Sequence, residues 1–388
     1  MNNSMKKYIV LMLVVMMLAS VSVMIMAGCN NANAVEMTYD EEGTYGLYFY
    51  GENHSLTNAD MLRAKQAVLD KSYFDASRPT IIWIHGWEPT PAKDILNYND
   101  VILCLGGDTK KNVPNVENVS YPQLFKEAGY NVASFIYCGL GGEDVNYAGD
   151  LTKIYNSAFG NFNNTGKSLA YYFASELCMN LKDYNKEITY VGHSCGSFVT
   201  MAVNNMVDYF LETKTIKNKN LMASKIFLAD PYVNSLADVK ISNGVIAVTN
   251  EAVNDRKKVD IVQDIIIKLN EKYSTPIAVY LGMGMASSSF TQVSKEKYDK
   301  VASHSIVVDM KGLKNTYNDT TGIHVITRDW VLSSVLQESV LDQNGNKGPI
   351  VSMSRSELQA LVGKQYVQTS SQYDIANDSF EEVSTLKA

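Results

Sequence analysis

The stretch Ile188-Thr189-Tyr190-Val191-Gly192-His193-Ser194-Cys195-Gly196-Ser197 decides the fold. Its first four residues form a short β-branched and aromatic run, which suits a strand buried on both faces. From Ser197 to Leu211 the chain is apolar and rich in Met and Val, which predicts a core-facing helix. Gly-x-Ser-x-Gly lies between the two. A strand that passes directly into a helix needs a turn tight enough to strain its central residue, and the turn exposes Ser194 Oγ at the end of the sheet. Gly192 and Gly196 remove Cβ atoms that would collide with the neighbouring strand and helix. The helix N-terminus behind Ser194 supplies partial positive charge where an oxyanion would form. The pentapeptide alone could be a glycine-rich turn with an ordinary serine. Its place between strand and helix predicts a nucleophile.

The alternation continues on both sides. Tyr45 to Tyr50 reads as an early strand, and Asn58 to Asp70 has helical spacing with Thr57 or Asn58 as cap. Continuous apolar runs predict strands at Thr80–Ile84, Asn131–Tyr137, Glu187–Val191, Lys225–Ala229 and Pro276–Leu281, with a last strand at His304–Asp309. Helical patterns fill Gly166–Leu181, Ser197–Leu211, Asn254–Tyr273 and Val325–Leu332. This alternation predicts an α/β fold: a mostly parallel central sheet with helices on both faces. The connections Gly86–Val119 and Ser235–Val253 are long enough to be lid-like insertions. Residues 340–388 receive no role from the sequence.

A serine hydroxyl needs a base and an orienting acid to become a nucleophile. The chain has five histidines, His54, His85, His193, His304 and His324. His193 adjoins Ser194 on the turn and points away from its Oγ. His85 ends a strand, and His54 lies in a polar turn ahead of most of the sheet. Active sites of open α/β sheets lie beyond the carboxyl ends of the strands. His324 follows the carboxyl end of the 304–309 strand, whereas His304 begins that strand, so His324 is the expected base and His304 its rival. Asp230 stands at the carboxyl end of the strand after the nucleophile and is the expected acid, with Asp309 as the alternative. The order Ser…Asp…His then matches that of a nucleophile elbow. One oxyanion donor would be the Cys195 N–H and the second the Trp87 N–H, on a loop that Gly86 allows to bend close to Ser194. Cys195 contributes its main chain here, not its thiol.

The set Ile84-His85-Gly86-Trp87, Gly192-His193-Ser194-Cys195-Gly196, Leu228-Ala229-Asp230-Pro231 and a late histidine resembles the α/β-hydrolase superfamily. An acid placed one strand after the nucleophile resembles the pancreatic-lipase-type branch of secreted lipases and phospholipases. The likeness runs from about Thr80 to Trp330. It implies the α/β-hydrolase fold and a serine esterase that works through an acyl-enzyme without a cofactor.

Composition narrows the rest. Lys and Arg number 34 against 41 Asp and Glu, a net charge of −7, which excludes a general binder of phosphate backbones. Five cysteines in 388 residues are too few for a disulfide scaffold, although Cys104 and Cys138 could pair in an oxidising exterior. The histidines and cysteines lack metal-site spacing, and Asp342-Gln343-Asn344-Gly345-Asn346 lacks the sixth-position Gly and twelfth-position Glu of a calcium loop. It reads as a polar turn. At the N-terminus Lys6 and Lys7 precede an uncharged, mostly apolar run from Tyr8 to Met26. Met26-Ala27-Gly28-Cys29 then resembles a bacterial lipoprotein signal. Residues 1–28 would be the signal peptide, Cys29 the lipidated new terminus, 29–35 a polar tether and 36–388 a single hydrolase domain. An uncleaved membrane anchor is the other reading of that run.

The expected protein is therefore an exported serine hydrolase of carboxylic esters, lipids among them, held to the outer face of a bacterial membrane. Two readings compete with it: a non-catalytic surface-binding protein of the same fold, and a peptidase or acyltransferase using the same triad.

Overall fold

A computed structural model describes residues 34–39, 45–55, 58–87, 120–137, 147–160, 162, 165–233, 258–282, 290–291, 293–314, 320–369 and 378–386. The signal segment, Cys29, most of the tether, Thr57, Cys104, Cys138 and nearly all of the two long connections lie outside these residues.

The strands are β1 (Gly46–Tyr50), β2 (Met61–Arg63), β3 (Thr80–Ile84), β4 (Asn131–Ile136), β5 (Ile188–His193), β6 (Lys225–Ala229), β7 (Ile277–Leu281), β8 (Ile306–Asp309), β9 (Leu341–Asp342), β10 (Gln365–Gln368) and β11 (Ser379–Val383). They form one eleven-stranded sheet in the order β2-β1-β4-β3-β5-β6-β7-β8-β10-β11-β9. From β4 across to β10 every neighbouring pair is parallel. The antiparallel pairs β1–β2, β1–β4 and β10–β11 lie toward the two edges.

The helices are α1 (Ala64–Ala67), α2 (Tyr121–Glu127), α3 (Tyr147–Phe159), α4 (Leu169–Asn180), α5 (Gly196–Glu212), α6 (Lys258–Tyr273), α7 (Lys295–Ala302), α8 (Lys311–Lys314), α9 (Thr320–Ser333) and α10 (Arg355–Gln359). Alternate strand residues separate two cores, as the period of two along a strand requires. Ile82, Tyr190, Leu228 and Val279 join the core that α3, α4, α5 and α6 cover. Trp83, Val191, Phe227 and Tyr280 join the opposite core, which α2 and α9 cover through Phe125, Ile326 and Trp330. Every residue of β3, β5, β6 and β7 is buried, which explains why runs such as Ile81–Ile84, Ile226–Ala229 and Ile277–Leu281 are continuously apolar rather than alternating. The expected α/β-hydrolase architecture, a mostly parallel sheet between two helical layers, is present.

Two expectations need correction. Asn58–Asp70 is not one helix: Met61–Arg63 is strand β2 and only Ala64–Ala67 is helical. Arg63 pairs in register with Tyr48, and its Nε donates to Glu176 Oε1 of α4 at 2.8 Å. Glu176 Oε2 also accepts from Leu47 N–H at 3.0 Å. Pairing with β1 and the buried charge contact together outweigh the helical spacing. The second correction concerns β8, which is not the last strand. Residues beyond 340 supply β9, β10 and β11 and extend the sheet past β8. The buried Lys225 ammonium of β6 donates to the carbonyls of Val351 and Met353 and ties this segment down.

The Arg63–Glu176 pair is almost fully buried. Removing one partner leaves an uncompensated buried charge, so Glu176→Ala should lower the unfolding free energy by about 3 kcal/mol in a urea titration. The double change Arg63→Met with Glu176→Leu should recover most of that loss.

Candidate active site

β5 ends at His193 and α5 begins at Gly196, so Ser194 and Cys195 alone make the turn. Ser194 sits at φ +56°, the left-handed region that a non-glycine residue occupies only under constraint. The constraint is visible. Ser194 N–H donates to Ala229 O at 3.1 Å, and its carbonyl accepts from Ser197 and Tyr232 N–H, each at 3.1 Å. A Cβ on Gly196 would fall on the carbonyl oxygens of Ile84 and His85, and one on Gly192 would fall on Thr200 Oγ1. The flanking glycines are thus required by close approach of β3 and of the helix itself.

Asp230 directly follows β6 and is fully buried, at φ +42°. Its N–H donates to Tyr280 O at 2.8 Å. Its two carboxylate oxygens have separate tasks: Oδ1 accepts from Gly282 N–H at 2.9 Å, and Oδ2 accepts from His324 Nδ1 at 2.6 Å. Gly282 is a residue that sequence reasoning missed. A Cβ there would come within 3.0 Å of Asp230 Cγ and 2.6 Å of Thr327 Oγ1, so only glycine brings this amide to the carboxylate without displacing its neighbours. The signal was a glycine immediately after the next strand.

His324 lies in the first turns of α9. Its ring packs on that of His193, with centroids 4.4 Å apart. His193 Nε2 donates to the His324 carbonyl at 3.2 Å, and the Trp83 ring lies nearly parallel to the His193 ring, with centroids 6.2 Å apart. His193, expected only to point away from the Ser194 Oγ, therefore holds the helix that carries His324. Burial, and then the neighbouring His324, push the His193 imidazole well below its ordinary range, so it is neutral.

The rival residues go elsewhere. His304 is on the turn between α7 and β8, where Nδ1 donates to Lys300 O at 2.8 Å and Nε2 faces Glu271 at 3.3 Å. Asp309 ends β8, and the carboxylate on His324 is that of Asp230. His54 is buried edge-on against Tyr50 of β1.

Gly86 follows β3 and lies against Ser194: a Cβ on it would come within 3.0 Å of Ser194 Cβ. Trp87, half-buried, is the next residue. His85 is buried, its Nδ1–H donates to Gly86 O at 2.8 Å, and its Nε2 accepts from Tyr137 N–H at 3.2 Å. Burial pushes its imidazole down to about 4. Cys195, with its side chain buried, is the N-cap of α5.

The arrangement defines what each group can do. Nδ1 of neutral His324 carries the proton given to Asp230, so Nε2 carries the lone pair and can accept a proton. No group of three or more His, Cys, Asp or Glu side chains that could hold a metal occurs among the described residues. In the calcium-like stretch, Asp342 Oδ1 accepts from the N–H groups of Asn344 and Asn346, each at 2.8 Å, as in a polar turn.

No family model matches the chain, and no curated protein matches it. Solved structures do. A lipase/esterase from Lactobacillus plantarum is 12% identical, over 66% of this chain and 80% of its own, with a TM-score of 0.29. Esterase B from Lactobacillus rhamnosis is 15% identical, over 76% and 82%, with a TM-score of 0.26. A second Lactobacillus plantarum protein, a carboxylesterase, is 12% identical, over 70% and 88%, with a TM-score of 0.32.

The two buried histidines make stability depend on pH. The unfolded chain takes up a proton at each near its ordinary value of 6.5, whereas folded His85 does so only near 4 and folded His193 well below 6.5. Their contribution is complete above about pH 6.5 and declines as the pH falls toward 4. Each site should add a slope of about 1.4 kcal/mol per pH unit in that window. Urea unfolding at pH 7, 6 and 5 should show this decline, and a folded His85→Phe variant should show a shallower one.

Proposed function

We propose that this chain is an exported serine hydrolase of carboxylic esters, with Ser194 as nucleophile, His324 as base and Asp230 as the orienting acid. The observation that carries the reading is the 2.6 Å contact between His324 Nδ1 and buried Asp230, with the His324 ring packed on the residue that adjoins Ser194. His324 Nε2 takes the Ser194 hydroxyl proton as Oγ attacks the ester carbonyl carbon. The N–H groups of Cys195 and Trp87 receive the developing oxyanion. The carbon–oxygen bond to the alcohol then breaks, and the alcohol leaves with the proton from His324. Water, activated by the same imidazole, hydrolyses the acyl-enzyme and restores Ser194. Every step moves only protons and an acyl group, so no cofactor is called on. The acid one strand after the nucleophile favours the pancreatic-lipase-type branch and thus lipid esters among the substrates.

The same reading takes Cys29 as a lipidated N-terminus that holds the domain to the outer face of a membrane, on the strength of the Met26-Ala27-Gly28-Cys29 box. Radiolabelled palmitate fed to expressing bacteria should enter the full chain, and Cys29→Ala should abolish its incorporation.

A fluorophosphonate should label the wild-type protein, and Ser194→Ala should lose both labelling and esterase activity. Asp230→Asn should lower kcat by about 10⁴-fold by releasing the imidazole from its tautomer. Triglyceride, phospholipid, short-ester and peptide substrates separate an esterase from a peptidase. A folded wild-type protein that neither labels nor cleaves any of them would leave the surface-binding reading.

A further inference from the structure

Tyr137, the residue after β4, makes an unusual set of contacts with the loop that adjoins Ser194. Its ring stacks on the His85 ring, with centroids 4.0 Å apart and planes inclined by 12°. Its main-chain N–H donates to His85 Nε2 at 3.2 Å, and His85 Nδ1–H donates to Gly86 O at 2.8 Å. Its phenol donates to His85 O and also lies 3.3 Å from Gly86 O. Both rings are buried, with His85 and Tyr137 each about 1% exposed.

The Gly86 carbonyl therefore accepts from the His85 imidazole N–H and shares the one phenol proton of Tyr137 with the His85 carbonyl. That carbonyl shares its peptide unit with the Trp87 N–H. In a planar trans peptide the C=O and N–H point in opposite directions. Holding Gly86 O toward Tyr137 and His85 turns the Trp87 N–H the other way, away from the core. Gly86 lies against Ser194, so this peptide stands beside the nucleophile. The order of bonds is self-consistent only for neutral His85, whose burial keeps it neutral at working pH: Nδ1 must donate and Nε2 must accept.

We propose that Tyr137 is a positioning residue of the oxyanion hole: with His85 it clamps the Gly86 carbonyl and so fixes the direction of the Trp87 N–H. Nothing in the clamp touches substrate. It acts before the reaction, by removing the reorientation that a free peptide would undergo as charge develops on the oxygen. The proposal rests on the serine-hydrolase reading of Ser194, Asp230 and His324.

Tyr137→Phe keeps the ring, the stack and the N–H to His85, and removes only the phenol oxygen. On a short ester it should lower kcat about tenfold and leave KM within twofold, because the donor matters in the transition state and little in the ground state. Affinity for a trifluoromethyl ketone, which forms a tetrahedral adduct on the serine, should fall by the same factor as kcat/KM. A merely structural role would instead lower the thermal midpoint without this split. A folded Tyr137→Phe protein with kcat within twofold of wild type overturns the proposal. If Tyr137→Phe does not fold, His85→Phe provides the same test, since it removes both imidazole nitrogens while keeping a flat ring. Full kcat in that folded variant is equally fatal. A wild-type protein that neither cleaves esters nor reacts with a fluorophosphonate overturns the catalytic reading itself, and the two failures are thus distinguishable.

Discussion

Both main-chain groups of Ser194 are used by the end of β6 and the residues just after it: the N–H donates to Ala229 O, and the carbonyl accepts from Tyr232 N–H. Asp230 lies between those two partners in the chain. The bonds that hold the serine at positive φ therefore also fix the residue that orients His324. Asp230 is itself at positive φ, and each such residue costs on the order of 1–3 kcal/mol. The parallel ladder beneath offsets that cost, since β5, β6 and β7 pair up to the residues concerned. Gly282 extends the chain of contacts to the end of β7 through its amide. Ser194 and Asp230 are thus one backbone assembly at the carboxyl ends of adjacent strands, and His324 reaches it from a helix.

Three histidines at this end of the sheet are separated by what their nitrogens meet. His85 and His193 are buried, neutral, and give an N–H to a main-chain carbonyl, Gly86 O and His324 O respectively. His324 gives its N–H to a carboxylate. An imidazolium formed at His324 is stabilised by Asp230, whereas a second one at His193, 4.4 Å from it between ring centroids, would be opposed by burial and by like charge. Of the stacked pair, only His324 has a carboxylate as the partner of its ring N–H.

The central strands were legible because burial on both faces removes the need for alternation. A run such as Ile226-Phe227-Leu228, closed by Asp230-Pro231, is too short for a helix and too apolar for a surface. The strand-to-helix turn was legible because its geometry demands glycine on both sides of Ser194, and the meeting of Asp230 with His324 because strand ends and chain order restrict which carboxylate can reach that imidazole. Met61–Arg63 was not, since its helical spacing competes with a pairing to β1 that depends on Glu176, more than a hundred residues away. Gly282 and Tyr137 were illegible for a related reason. One acts through the lack of a side chain, the other through contacts with carbonyls fifty residues earlier, and neither leaves a local pattern. The β10–β11 edge carries Gln and Glu among its apolar residues, as an outer pair of strands can.

That edge bears on the site despite its distance along the chain. Trp330 stands six residues beyond His324 on α9, about 9 Å along the helix axis. Its indole N–H donates to Asp378, just before β11, and Gln368 of β10 donates to the same carboxylate oxygen at 2.8 Å. On the other flank the Tyr121 hydroxyl of α2 bonds to Ser333 Oγ at 2.7 Å and to Asp329 O at 3.2 Å. α9 is therefore gripped at its carboxyl half by the last strands and by α2, and at its amino half by His193 and Asp230. A helix held at both ends can neither slide nor rotate by a residue without breaking one of these contacts, and a rotation of one residue, about 100°, would carry His324 away from Asp230. The segment beyond residue 340, to which the sequence assigned no role, thus sets the register of the helix that delivers the imidazole.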